Sequence, residues 1–258
     1  MLKRLCAAAI LLTPHLMSAE AVLTPGSYSI LERVLVGSKG AQPEQKVKII
    51  TQELLGTPYN DNTLNMNYLS IERLTINLKA MDCMTFIEYA EAFKHAENYE
   101  QFLFYLANTR YINQDVSFSQ RRHFFTDWAQ EPESIAEDIT TRISPHTIRV
   151  QKELNRGSNG ELFLSGVDVK DRIINYIPSG YVDKDVIELL KTGDYVGIYS
   201  NNKGLDVTHV GIVIRENNKV IFRNASSLRN NFKVSDIELE RYLQSKVGII
   251  VLRSKINN

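Results

Sequence analysis

The chain lacks an excess of charge of either sign. Its 258 residues include 30 Lys and Arg against 30 Asp and Glu, so the formal net charge is zero. No basic stripe alternates with aromatic residues, which argues against a nucleic-acid partner. After the first residues, no apolar run is long enough to span a bilayer, so we expect no stable membrane insertion. The hydrophobic fraction of 43% is ordinary for a globular protein, and we expect a monomer with one sizeable core.

The N-terminal segment has the pattern of a secretory signal. Basic residues at positions 3 and 4 precede a short apolar run at 5–12, and the tripeptide at 19–21 has the small residues of a cleavage site. We predict that residues 1–21 are a signal peptide and that Val22 begins the mature protein. The predicted location is the periplasm or the cell envelope.

Cysteine is nearly absent. Cys6 lies inside the predicted signal peptide, so Cys83 is the only thiol expected in the mature chain and has no disulfide partner. An unpaired thiol is a liability in an oxidising compartment unless it is buried or used, which makes Cys83 a candidate nucleophile. The histidines form no close-spaced cluster with cysteine, so we expect no metal and no cofactor; they are His15, His95, His123, His146 and His209.

The residues after Asp82 have helical periodicity. Asp82 is a favourable N-cap residue, and Phe86, Ala90 and Phe93 form one apolar stripe. Cys83 therefore falls in the first turn of a predicted helix, where backbone N–H groups and the helix dipole favour a thiolate. The alternative for a single cysteine is a buried structural thiol.

Further helices and a C-terminal sheet are predicted elsewhere. Helical spacing covers 28–36, 43–55 and 99–111, whereas the pattern of a strand marks 195–199, 208–214, 220–224 and 247–252. Short links make the first three strands antiparallel neighbours. The segment at about 112–185 is mixed and polar, and we predict an accessory insertion there within a single domain at 22–258.

A second candidate residue, His209, lies in the second of these strands. If the following hairpin turns at 217–218, Gly211 lies opposite Asn224 and His209 is a diagonal neighbour of Asn224 on the same face. Asn224 would then hold one imidazole nitrogen and leave the other facing a thiol. With the predicted cysteine helix packed on that face, the sequence predicts a nucleophile, a base and an orienting residue.

Candidate substrate contacts are spread over the chain. Tyr59 lies on a turn-rich loop and is interpreted either as a packing aromatic or as a phenol beside the thiol. The charged and aromatic run at 119–128 suits recognition of a sugar or a peptide, although a solvated face with an aromatic anchor is the alternative. The candidate binding residues are Tyr59, Asp82, Arg122, His123, Trp128, Asp206 and Thr208.

Five short motifs occur in an order that resembles the NlpC-type papain-like cell-wall hydrolases. They are Gly-Thr-Pro-Tyr at 56–59, Asp-Cys-Met-Thr-Phe at 82–86, Gly-Asp at 193–194, Thr-His-Val-Gly-Ile at 208–212 and Asn-Ala-Ser-Ser at 224–227. The runs at 121–128 and 204–211 are similar to the N-acetylmuramoyl-L-alanine amidase-like branch. That branch often has histidine where this chain has Asn224, which can orient imidazole but cannot share its charge.

The resemblance implies an α+β, papain-like fold in which the nucleophile helix packs on an antiparallel sheet or partial barrel. It also implies a triad of Cys83, His209 and Asn224 that cleaves the amide between N-acetylmuramic acid and L-alanine in peptidoglycan or muropeptide fragments. Two alternatives stay open. One is a cysteine endopeptidase that cuts the D-glutamyl-diaminopimelate bond of the stem peptide, and the other is a non-catalytic cell-wall binding module.

Overall fold

In a computed structural model, which describes residues 21–255, helices pack on an antiparallel sheet. Apart from Ala21, the predicted signal peptide lies outside the described residues. The helices are α1 (Ser27–Ser38), α2 (Pro43–Glu53), α3 (Cys83–His95), α4 (Tyr99–Arg110), α5 (Thr140–Ile143), α6 (Lys184–Leu189) and α7 (Leu239–Leu243). The strands are β1 (Ala21–Leu23), β2 (Leu74–Ile76), β3 (Ala136–Asp138), β4 (Ile148–Leu154), β5 (Lys170–Pro178), β6 (Tyr195–Tyr199), β7 (Val207–Glu216), β8 (Lys219–Ala225), β9 (Val234–Glu238) and β10 (Gly248–Ser254).

The main sheet has eight strands. Seven of them run in the order β4-β5-β10-β6-β7-β8-β9, and β3 pairs with β10. Their pairings are antiparallel, while β1 and β2 form a separate parallel pair. The α+β class and the antiparallel sheet are as predicted, and the described strands form an open sheet, not a closed barrel. Among residues 21–255, no helix combines the length and the apolarity needed to cross a membrane.

Residues 112–185, the expected accessory insertion, contribute strands to the main sheet. They supply β3, β4 and β5, of which β4 pairs with β5 while β3 and β5 both pair with β10. The sequence pattern did not reveal these strands because buried charged side chains interrupt their apolar alternation. Lys152 of β4 is buried, and Arg172 of β5 is buried in an ion pair with Asp127. The segment is therefore continuous with the sheet of the C-terminal half.

The start of α3 is defined by a capping box. The Thr85 N–H donates to Asp82 Oδ1 at 2.7 Å, and the Asp82 N–H donates to Thr85 Oγ1 at 3.0 Å. These bonds satisfy N–H groups that have no partner within the helix. The helix therefore begins at Cys83, as predicted, and the thiol lies in its first turn.

Most of α3 is buried between α4 and the main sheet. Phe86 and Phe93 of its apolar stripe are fully buried, and the helix packs on α4, β7 and β8. On another face, Glu88 accepts a hydrogen bond from Arg110 Nε of α4 at 2.7 Å, with both side chains buried. Contacts on several sides leave the helix little freedom, so they determine the position of Cys83 relative to β7.

Candidate active site

Cys83 lies against the strand that carries His209. Helix α3 packs on β7, and the backbone N–H of Val210, the residue after His209, lowers the pKa of the Cys83 thiol. The N–H groups of Cys83 itself and of Met84 also interact with the sulfur at the start of α3. The side chain is half-buried and is a free thiol. Backbone N–H groups of both α3 and the histidine strand therefore favour the thiolate form of Cys83.

His209 is oriented by Asn224 on the neighbouring strand. Ile212 pairs with Arg223, a register that places Gly211 across from Asn224, as the hairpin prediction required. His209 Nε2 lies 2.9 Å from Asn224 Oδ1. The Asn224 Nδ2 group donates to the Phe222 carbonyl at 3.3 Å, which assigns the amide oxygen to the imidazole side. Nε2 is then the protonated nitrogen of His209, and Nδ1 keeps its lone pair and can act as a base.

Burial favours the neutral forms of both the Cys83 thiol and the His209 imidazole. Burial raises the pKa of Cys83 to about 12, and the charge of Asp82 adds to the rise, while the three backbone N–H groups oppose it. Burial also lowers the pKa of His209, against the opposing effect of its hydrogen bond to Asn224. The N–H groups at the helix N-terminus favour the thiolate, as expected, but desolvation of the sulfur has the larger effect and raises the pKa.

This neutral state predicts an unusual alkylation profile for Cys83. We expect the iodoacetamide rate constant to be low at pH 7 and to keep rising by about tenfold per pH unit from pH 8 to pH 10, since only the thiolate reacts. Mass spectrometry of the folded protein measures the rate at each pH. The control is a small cysteine peptide, whose rate levels off above its pKa of about 8.5. A plateau for Cys83 at or below pH 7 would contradict a raised thiol pKa.

Aromatic side chains surround the sulfur. Tyr59 is half-buried and packs against Phe232, with ring centroids 4.8 Å apart, and its pKa is raised first by burial and then by the charge of Cys83. Tyr242 of α7 has its ring centroid 6.3 Å from that of His209, and burial together with Cys83 raises its pKa to about 12. Tyr59 was predicted near the thiol. Phe232 and Tyr242 were missed because neither belongs to a recognisable motif.

Two aromatic residues of the run at 119–128, for which recognition of substrate was one of two interpretations, make contacts inside the protein. Trp128 is fully buried and packs edge-on against Tyr195, with ring centroids 5.0 Å apart. His123 Nε2 bonds to the Phe118 carbonyl at 2.7 Å, and burial lowers the pKa of this histidine to about 4. Both side chains are therefore engaged inside the protein, in place of the expected exposed recognition surface.

Arg122 is also buried, at 3% exposure. Its guanidinium donates to four backbone carbonyls, those of Asn108, Tyr111 and Glu133 at 2.6 to 2.8 Å and that of Thr109 at 3.5 Å. It lines a cavity of about 400 Å³ that includes His95, at the opposite end of α3 from Cys83. The predicted role of Arg122 in binding substrate beside the thiol is therefore not supported by its position.

The remaining predicted binding residues occupy three different environments. Asp82 is the half-buried cap of α3, next to the thiol. Asp206 is 2% exposed and accepts hydrogen bonds from the N–H and hydroxyl groups of Thr126 at 2.7 and 2.9 Å, so it links the start of β7 to the 119–128 run. Thr208 is exposed one residue before His209. Of these three, Asp82 and Thr208 are placed where a substrate could touch them.

Solved structures share this fold. A Bacteroides uniformis N-acetylmuramoyl-L-alanine amidase is 27% identical, with a TM-score of 0.68 over 83% of this chain and 100% of that chain. A Bacteroides fragilis protein provisionally described as a xylanase is 27% identical, with a TM-score of 0.62 over 79% of this chain and 98% of that one. A Legionella pneumophila protein has a TM-score of 0.71 over 88% and 96% of the two chains, but at 19% identity it shows the fold alone.

Together, the shared fold and the residues around Cys83 define the class as an α+β protein of the amidase-like hydrolases. The chain belongs to the AmiA-like, N-acetylmuramoyl-L-alanine amidase-like family, whose sequence model matches residues 49–249. The matched range contains the thiol, the imidazole and the asparagine. A comparison with curated proteins found no significant match.

Proposed function

We propose that this protein is an exported peptidoglycan hydrolase in which Cys83 attacks the amide between N-acetylmuramic acid and L-alanine. The main support is the hydrogen bond between His209 Nε2 and Asn224 Oδ1, because it leaves Nδ1 as a base on the strand against which the helix of Cys83 packs. Membership of an amidase-like family supports the choice of bond. Export is proposed from the signal pattern of the first 21 residues.

In the proposed mechanism, His209 acts as a general base. Its Nδ1 accepts the Cys83 proton as the sulfur attacks the lactyl carbonyl of the sugar, and the imidazolium then protonates the departing L-alanine amine. Water hydrolyses the thioester in the second half of the reaction. Because burial raises the pKa of the thiol, we propose that proton transfer to His209 accompanies attack.

Charge that develops on the carbonyl oxygen needs donors near the sulfur. The backbone N–H of Cys83 at the start of α3 supplies one, and the Tyr59 hydroxyl is proposed as the second. Losing such a donor costs about 3 kcal/mol of transition-state stabilisation. Asn224 contributes indirectly, because it keeps the imidazole in the tautomer that presents Nδ1.

The papain-like, NlpC-type classification is part of the proposal. Its support is a cysteine in the first turn of a buried helix that packs on an antiparallel sheet, with histidine and asparagine on adjacent strands. The same nucleophile, base and orienting roles occur in proteins of unrelated fold. They therefore support the proposed cysteine mechanism more directly than they support the papain-like classification.

A digest of purified muropeptides tests the proposed bond. We expect mass spectrometry to detect the free N-acetylmuramic acid-containing sugar and the intact stem peptide in equal amounts, because hydrolysis separates the two at the lactyl amide. The Cys83→Ala variant, treated identically, is the control. A shortened stem would instead identify the endopeptidase, binding of muropeptides without any product would identify a binding module, and release of reducing sugar from xylan would favour a glycosidase.

A further inference from the structure

A buried lysine lies beneath the loop that leads into the histidine strand. Lys152 of β4 is 2% exposed, and its ammonium donates to the backbone carbonyls of Ser200, Asn202 and Leu205, the last two at 2.8 Å. All three acceptors belong to the loop between β6 and β7, which we call the 200–205 loop. One ammonium group therefore forms hydrogen bonds with the beginning, the middle and the end of one short loop.

This ammonium has no acidic partner within salt-bridge distance among the described residues. Its Nζ lies 4.4 Å from the centroid of the Tyr199 ring, and the more distant charge of Asp206 also favours the protonated form. Burial lowers the pKa of Lys152 to about 8, so the side chain is still mostly charged at pH 7.

A buried, unpaired charge is costly, and an apolar side chain of the same length would avoid that cost. Stability alone therefore does not explain why a lysine occupies this position. What a lysine provides and methionine cannot is a set of three N–H donors that converge on the loop carbonyls.

The 200–205 loop continues into β7 through an irregular pairing with β6. Ile198 pairs with His209, but Tyr199 pairs with Val207, so Thr208 is an extra residue on the β7 side. Such a bulge redirects neighbouring side chains and is common beside active sites. A shift of one residue in β7 would turn His209 to the opposite face of the sheet.

We propose that Lys152 is a positioning residue, whose contacts with the 200–205 loop stabilise the bulge at Thr208 and so keep His209 directed at Asn224 and Cys83. The measurement of turnover rests on the proposed function. The orientation of His209 does not, because it can be observed directly. The strand that carries Lys152 belongs to the 112–185 segment, which thereby gains a role in the proposed active site.

The test compares the Lys152→Met and Lys203→Met variants of the protein. Lys203 is exposed on the same loop, so its replacement removes a charge there without touching the three carbonyl contacts. Nitrogen NMR of labelled histidines reports whether His209 Nε2–H stays hydrogen-bonded, and muropeptide hydrolysis gives kcat and KM. In Lys152→Met, we expect the protected Nε2–H signal to disappear and kcat to fall by about 10- to 100-fold, because small displacements of reacting groups have effects of this size.

KM should change by less than about threefold, because the substituted side chain is remote from the substrate and only the reacting geometry is altered. Lys203→Met should match the wild type in both measurements. A folded Lys152→Met variant with an unchanged Nε2–H signal and an unchanged kcat would overturn the proposal. If that variant does not fold, Lys152→Gln keeps two N–H donors without the charge, and a folded Gln variant that retains the full signal and kcat would equally overturn it.

The two proposals can fail separately. If the wild-type protein hydrolyses no muropeptide, the amidase function fails, while the NMR signal still decides whether Lys152 positions His209. If the wild type is active and Lys152→Met is equally active with the same signal, the amidase function stands and the positioning role is refuted.

Discussion

Replacing Cys83 with alanine is expected to reduce kcat for muropeptide hydrolysis by at least about 10³-fold, the size of loss seen when a catalytic nucleophile is removed. The fold should be unaffected, because the capping box that starts α3 uses Asp82 and Thr85 and does not involve the thiol. Product release followed by mass spectrometry measures activity, and circular dichroism during heating measures the melting temperature of each variant.

Three further variants extend that experiment. Met84→Ala changes the neighbouring half-buried residue of the same helical turn, and most of the activity should survive. His209→Ala should be nearly as inactive as Cys83→Ala, and the double variant should be no worse than either, because a nucleophile and its base act as a unit. Wild-type turnover in a folded Cys83→Ala protein would mean that another group attacks the amide.

Replacing Glu88 with methionine is expected to lower the free energy of unfolding by about 3 to 5 kcal/mol, the cost of breaking a buried ion pair. The Arg110 guanidinium, which is fully buried, would lose the carboxylate that raises its pKa and would keep its hydrogen bond to the Thr75 carbonyl at 2.7 Å. Methionine preserves the length of the side chain, so the loss reports mainly on the uncompensated charge. Urea denaturation measures it.

The matched control for this ion pair is an exposed one. Arg33 and Glu53 form a 2.7 Å pair between α1 and α2 with side chains 56% and 36% exposed, so Glu53→Met should cost less than about 1 kcal/mol. If Glu88→Met cost no more than that control, the buried pair would not be a major support of α3. A large effect would show that the ion pair helps to fix the helix that carries Cys83 against α4.

The parts of the site that could be predicted from the sequence depend on local rules. Asp82 defines the start of α3 through bonds to a residue three positions away, and a two-residue turn at 217–218 determines the register that brings His209 and Asn224 together. Such effects depend on residues that are close together in the chain, so they can be predicted from the sequence pattern. The helices at 28–36, 43–55 and 99–111 were predicted for the same reason, from their apolar spacing.

Burial of polar residues was not predictable in this way. Lys152 and Arg122 look like surface residues in the sequence, yet each is buried and bonded to carbonyls that are distant along the chain. The same applies to the pKa of Cys83, which depends on how much water the surrounding side chains exclude from the sulfur. A helix N-terminus favours a thiolate only where solvation permits it.

The sequence by itself determined the helix that begins at Cys83 and the partner of His209, because capping, periodicity and hairpin register are local, while the α+β class was implied by the family resemblance. Only the tertiary structure decided that burial raises the pKa of the thiol, that most of the 119–128 run is buried, and that β4 extends the main sheet with Lys152 beneath the 200–205 loop. These outcomes depend on desolvation and on contacts between segments far apart in the chain, which no short stretch of residues specifies.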